Sequence, residues 1–192
     1  EENLAGGLWE NAPVMPVSSH TKEGIEELRA TLSKLLTESD PVRKVGKPRL
    51  PVDRAFSLKG VGTVVTGTLT DGEVSVGTEY QIQPSTETVS VRSAQSHGAT
   101  AETVPPGTRT ALNLSGIGLR ESRGAAREGI GRGDVLVSAG MGDPVTVIDV
   151  VVSKSNREIR GMKQSKRALR TGREVMFHHG SSGIPARIHF LG

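Results

Sequence analysis

The period of hydrophobic and polar positions changes along the chain, and each change marks a different kind of element. Ile25, Leu28, Leu32 and Leu35 recur at three- and four-residue spacing, which predicts one apolar stripe of a helix. Thr21 is placed to cap its start, and Glu23, Glu26 and Glu27 load the first turn with the negative charge a helix dipole favours. The helix should fade over residues 37–39, ahead of Pro41. Before it, residues 12–17 form a short apolar run of strand length. From Leu50 onward the pattern becomes that of strands, predicted at residues 63–70, 73–76, 80–83, 88–94, 109–114 and 134–138. Asp71-Gly72 is a hairpin signal between the first two. Short strands at this spacing, separated by Gly and Pro, predict a small closed barrel. Residues 115–133, rich in Gly, Arg and Glu, read as a long mobile loop. Beyond Asp143-Pro144, strands are expected at 145–152, 174–179 and 186–191, the last two joined by residues 180–183. Three strands alone make an incomplete sheet with open edges.

Composition sharpens this picture. Residues 41–51 hold three prolines and four basic residues, a linker composition. The expected division is therefore 1–40, 46–140 and 143–192, the first a strand and helix, the second a barrel, the third a partial barrel. The chain is mainly β. With 192 residues and no cysteine it can bury an ordinary core but can form neither a disulfide framework nor a thiolate zinc site. No apolar run approaches the roughly 20 residues that span a bilayer, and no leader-like start is visible. The expectation is a cytoplasmic protein with no membrane role. Charge is uneven: residues 1–40 carry 3 basic and 8 acidic groups, whereas 141–192 carry 9 and 4. A polyanionic partner is therefore expected toward the later part. With only five aromatic residues, base stacking is a poor candidate for the main chemistry.

Several familiar chemistries are missing. The sequence contains neither a G-x-x-x-x-G-K-[ST] phosphate loop nor a G-x-S-x-G nucleophile elbow. His178 and His179 are adjacent in a predicted strand and so face opposite sides, which argues against a shared metal. Gly60, Gly62 and Gly67 read as turn and bulge positions. Residues 154–173 contain 8 basic side chains and 1 acidic one, a composition that suits either a solvated loop or a phosphate-binding surface.

The stretch Val52-Asp53-Arg54-Ala55-Phe56-Ser57-Leu58-Lys59-Gly60-Val61-Gly62-Thr63-Val64-Val65-Thr66-Gly67-Thr68-Leu69 is more specific. It resembles the opening of the second, β-barrel domain of translational GTPases, and within them that of the selenocysteine-specific elongation factors. The Val-Asp-Arg-Ala-Phe stretch favours that branch over the general elongation factors. Residues 106–114 and 131–136 resemble later strands of the same barrel. Residues 4–19 resemble the end of the GTP-binding domain, with Ser18-Ser19 where a guanine-contact loop usually has Ser-Ala. Residues 178–180 and 186–188 resemble the start of the third domain.

The resemblance implies an elongation-factor-type Greek-key barrel, preceded by a strand-helix remnant of an α/β GTPase domain and followed by a partial second barrel. It implies a piece of a longer, GTP- and Mg-dependent protein that delivers selenocysteyl-tRNA to the ribosome. The phosphate loop and the part that reads the selenoprotein mRNA element would lie outside this segment. The segment itself is not expected to bind those cofactors or to hydrolyse GTP, and it is expected to be monomeric. Asp53, Arg54 and Arg109 match the family's aminoacyl pocket, in which two arginines would converge inside the barrel on a spot that holds an anionic selenolate. Lys59, Arg157, Arg160, Lys163, Lys166 and Arg167 are the candidate tRNA contacts. Two other readings remain open: another translational GTPase, either a general elongation factor or an initiation-factor subunit, and a stand-alone basic RNA-binding barrel.

Overall fold

The computed structural model describes residues 11–42, 44–120, 129–152 and 169–190. These fall into two compact units, one of residues 11–41 with 151–152, the other of residues 42–150 with 169–190.

In the first unit the helix α1 spans Ile25–Glu38 and stops ahead of Pro41, where the sequence placed its end. Its start differs from expectation. Thr21 does not cap it; Gly24 is the cap residue, at φ 72°, and no side chain caps the helix. The cause is a closed turn around Ser18. Its Oγ accepts the Thr21 N–H at 3.1 Å, its carbonyl accepts the Lys22 N–H at 2.9 Å, and its own N–H donates to the Glu23 carbonyl at 3.0 Å. Those bonds use up residues 18–23 before the helix can begin. Glu26 and Glu27 do lie in the first turn. Residues 12–17 form no strand. Pro13 and Pro16 remove two ladder donors from so short a run.

The second unit is built on a closed barrel. Its strands are β1 (Arg49–Leu58), β2 (Gly62–Thr68), β3 (Val74–Ser75), β4 (Glu79–Gln83), β5 (Thr88–Ser96), β6 (Ala99–Ala101), β7 (Thr103–Val104), β8 (Arg109–Ser115) and β9 (Val135–Ser138). Six of them run in the order β4-β9-β1-β2-β8-β5, and β5 pairs back to β4 to close the ring. Every pairing is antiparallel. Closure leaves those six strands without free edges. The alternation read from the sequence is met. Thr110, Leu112 and Leu114 of β8 point into the core, as do Tyr80 and Ile82 of β4. Leu112, Leu114, Tyr80 and Ile82 meet Leu50, Val52, Val65, Val89, Val91 and Leu136 in one cluster.

The Asp71-Gly72 hairpin is not formed as expected. Both edges of β2 are taken, by β1 and β8, so β3 turns away and pairs with β7. The tight connection at β2 is instead the one from β1, across Lys59-Gly60-Val61, with Gly60 at φ 82°.

The two ends of the long connection after β8 are tied together. The Arg120 N–H donates to the Ile130 carbonyl at 3.0 Å, and the Ile130 N–H to the Gly118 carbonyl at 2.9 Å. Ile130 is fully buried. Beside it Arg120 forms an ion pair with Asp134, which is almost wholly buried and also accepts the Gly131 N–H at 2.8 Å. Residues 121–128 of the expected mobile loop lie outside the described residues. Removing one partner of a buried pair leaves a charge without compensation. Arg120→Ala should therefore cost about 3 kcal/mol, checked by urea unfolding.

The remaining described strands are β10 (Glu174–His179) and β11 (Ser182–Arg187), a hairpin in the same compact unit as the barrel. The second strand begins earlier than expected, because Gly180-Ser181 alone makes the turn. No strand forms at 145–152. Val145, Val147, Ile148 and Val150 are exposed, and none of the described strands pairs with them. An apolar, β-branched run is a strand only where a neighbour accepts its ladder.

Candidate aminoacyl site on the barrel wall

The site begins with an irregularity in β1. Val52 pairs with Gly67 and Arg54 with Thr66, so Asp53 is an extra residue without a cross-strand partner, a β-bulge. Regular alternation from buried Val52 would send Arg54 into the core. The bulge shifts the phase by one residue. Ala55 becomes the next side chain packed against the core, and Asp53 and Arg54 both face outward. Gly67 permits this close approach: a Cβ there would lie 2.3 Å from the Pro51 carbonyl oxygen.

Three adjacent strands then converge on one carboxylate. Arg109, first residue of β8, donates from Nη1 to Asp53 Oδ2 at 2.5 Å and from Nη2 to Oδ1 at 3.3 Å. Thr66 of β2 donates its hydroxyl to Asp53 Oδ1 at 2.6 Å. The Arg109 bond holds the Asp53 carboxyl below its ordinary pKa. Partial burial opposes that shift, while the Thr66 bond and the charges of Arg109 and Arg54 add to it. The Arg109 guanidinium is raised in turn by its bond to Asp53.

The sign of the consequence follows directly. A carboxylate whose folded pKa is depressed contributes stability above its unfolded pKa of about 3.9, and loses it as pH falls through the folded value. Asp53→Asn should therefore lower stability at neutral pH, where the carboxylate contributes, and flatten the acid limb below about pH 4, where the two proteins should converge. Chemical unfolding at a series of pH values checks this.

The geometry places the other sequence candidates as follows. Arg54 is exposed beside the cluster, near enough for its charge to act on Asp53, and forms no ion pair with any described residue. The cluster sits on the outer wall of the barrel, not inside it as expected, because the interior is filled by the apolar core. Lys59 is exposed at the β1–β2 turn. Ser18 is half-buried in its turn and Ser19 is exposed at the head of it, both in the other unit. Arg157, Arg160, Lys163, Lys166 and Arg167 lie outside the described residues. Among the described residues no group of three or more His, Asp or Glu side chains is placed to hold a metal ion, and no helix is long and apolar enough to cross a membrane.

Three neighbours were not anticipated. Thr66 joins because cross-strand register sets it beside Asp53. Gln95 and His97 join because β5 runs on to Ser96, pairing Gln95 with Ala111 and Ser96 with Thr110. They line a shallow depression beside Arg109, with Thr66, Gly98, Thr110 and Ala111.

Comparison with known proteins places the chain. No family model matches it. It is 41% identical over 188 residues to the selenocysteine-specific elongation factor of Desulfomicrobium baculatum, covering 98% of this chain and 27% of that protein. The factor of the same name from Methanocaldococcus jannaschii is 31% identical over 179 residues, covering 93% of this chain and 35% of that one. Among solved structures, the apo form of translation elongation factor SelB from Methanococcus maripaludis superposes with a TM-score of 0.66 at 24% identity, over 90% of this chain and 34% of that one. The chain thus spans about a quarter to a third of the length of the curated relatives it matches. An elongation-factor-type barrel and identity along nearly the whole sequence together assign the chain to the selenocysteine-specific elongation factor family.

Proposed function

We propose that this segment binds the aminoacyl end of selenocysteyl-tRNA, and that the intact GTP- and Mg-dependent protein carries that tRNA to the ribosome. The single observation that carries the reading is the Asp53–Arg109–Thr66 cluster with Arg54 beside it, two permanent cations and one carboxylate on the outer barrel wall.

A selenol is more acidic than a thiol, whose ordinary pKa is about 8.5, so at neutral pH selenocysteine presents an anion. Serine on the same tRNA presents a neutral hydroxyl. Two guanidiniums against one carboxylate leave one net positive charge for the incoming group. Arg supplies it without losing its proton. Asp53 fixes the plane of Arg109 through a two-point bond and can accept from the ammonium of the esterified amino acid. Thr66 in turn fixes Asp53. Discrimination against serine is then electrostatic: a hydroxyl leaves the cationic site poorly matched.

GTP and Mg belong to the intact protein in this reading. Of the residues here, only Ser18 and Ser19 are proposed to stand beside the guanine, and this segment supplies no group for phosphoryl transfer. Lys59 and the basic residues of 154–173 are proposed to meet tRNA phosphates, with strong salt dependence.

The test is the affinity of the full-length protein, GTP-loaded, for one tRNA body charged with selenocysteine or with serine, parent beside Arg54→Ala. The parent should favour selenocysteine, and Arg54→Ala should lose roughly fivefold to tenfold of that preference, the worth of one exposed charged contact. Equal affinity of the parent for the two charged tRNAs would favour a general tRNA carrier instead.

A further inference from the structure

The β1–β9 ladder stops at Pro51, so the next backbone groups of β1 need other partners. Val52 is fully buried and immediately precedes the bulge residue Asp53. Its N–H donates to the Asp134 carbonyl at 2.8 Å. Its carbonyl accepts two bonds. One comes from the Gly133 N–H at 3.0 Å, the other from the Ser181 hydroxyl at 2.5 Å.

Ser181 lies 129 residues along the chain, in the two-residue turn of the β10–β11 hairpin. The turn is seated closely on the barrel. A Cβ on Gly180 would lie 3.2 Å from the Pro51 Cβ, and one on Gly133 would lie 3.2 Å from the Ser182 Oγ. Arg132 Nε reaches the Ser181 carbonyl at 3.5 Å. One hydroxyl from a remote hairpin therefore holds the peptide that launches Asp53 and Arg54 onto the outer wall.

We propose that Ser181 is a positioning residue for the aminoacyl site, its hydroxyl clamping the Val52 carbonyl and so fixing the bulge that aims Asp53 at Arg109. The inference rests on the aminoacyl reading above. Its physical basis is the softness of a bulge: Asp53 has no ladder partner of its own, so its direction is set by how firmly the flanking peptides are held. The hairpin also gains a means to influence the site, because displacement of its turn releases one of the two bonds on the Val52 carbonyl.

The test compares the parent with Ser181→Ala, which deletes the hydroxyl, and Ser181→Thr, which keeps it. Two quantities are read: the ratio of affinities for selenocysteyl- and seryl-tRNA in the full-length protein, and the titration of the Asp53 carboxyl carbon by NMR in the 192-residue chain. Ser181→Ala should lower the affinity ratio roughly fivefold, the worth of one hydrogen bond. It should also move the Asp53 midpoint upward as its contact with Arg109 loosens. Ser181→Thr should restore both, and the thermal midpoint should change little. If the parent discriminates and Ser181→Ala leaves either quantity unmoved, or Thr fails to restore them, the inference falls while the aminoacyl reading survives. If the parent does not discriminate, the aminoacyl reading itself falls and takes this role with it.

Discussion

Arg109→Ala is expected to weaken selenocysteyl-tRNA binding roughly tenfold to hundredfold, the range for a hydrogen bond to a charged group. Seryl-tRNA binding should change far less. The loss has two parts. The substitution removes one cation from the proposed selenolate contact. It also leaves Asp53 without its two-point partner, so a carboxylate faces the incoming anion with only Arg54 to offset it. Arg109→Lys should recover only part of the affinity, because an ammonium cannot reproduce the planar fork on Asp53. Stability is a separate matter. The Asp53–Arg109 pair is well exposed on the arginine side, and solvent screening leaves such pairs little weight in stability. Binding should therefore fail while the unfolding midpoint stays nearly where it was. A large drop in stability together with unchanged discrimination would make the cluster structural only.

The second large effect is expected at Gly67. Replacing a strand glycine with alanine ordinarily stabilises by up to about 1 kcal/mol, through the entropy of the unfolded chain. Here the added methyl would stand 2.3 Å from the Pro51 carbonyl oxygen and 3.0 Å from Leu50 Cγ, both in the neighbouring strand. Backbone, not a movable side-chain end, would have to give way. Overpacking of this kind costs about 3 kcal/mol and outweighs the entropic gain. Because Val52 pairs with Gly67 at the edge of the bulge, the shift should also disturb Asp53. Gly67→Ala should lower both the urea midpoint and the preference for selenocysteine. Gly60→Ala is the comparison. No atom lies within 4 Å of its Cβ, and only the strain of φ 82° remains, so its effect should be smaller and confined to stability.

Most of the barrel strands were legible because closure buries one face of each, though β1 was given no bounds and the short β6 and β7 were not expected. Tyr80 and Ile82, or Leu112 and Leu114, announce a strand by alternation alone. What alternation does not carry is the identity of the partner. Asp71-Gly72 looks like a hairpin, yet β2 had no free edge to offer. Residues 12–17 and 145–152 look like strands, yet no described strand pairs with them. The helix start was misplaced because Ser18 organises a turn through backbone bonds that composition does not display. The same distinction runs through the site. Asp53, Arg54 and Arg109 came from a family resemblance. From the pattern alone Arg54 belongs in the core, and only the bulge turns it outward. Thr66, Gln95 and Ser181 are fixed by register and by a contact 129 residues distant, neither visible in a linear reading.

The central claim is that the barrel wall reads charge on the amino acid. The most direct measurement is the dissociation constant of one tRNA body carrying selenocysteine, cysteine or serine, taken from pH 6.5 to 9 on the full-length, GTP-loaded protein. Cysteine has nearly the shape of selenocysteine but ionises only near pH 8.5. The account predicts that selenocysteine binds tightest throughout, serine stays weak and flat, and cysteine climbs from near serine toward selenocysteine as its thiol ionises. Cysteine bound as tightly as selenocysteine at pH 6.5, or three affinities that do not separate at any pH, would contradict it.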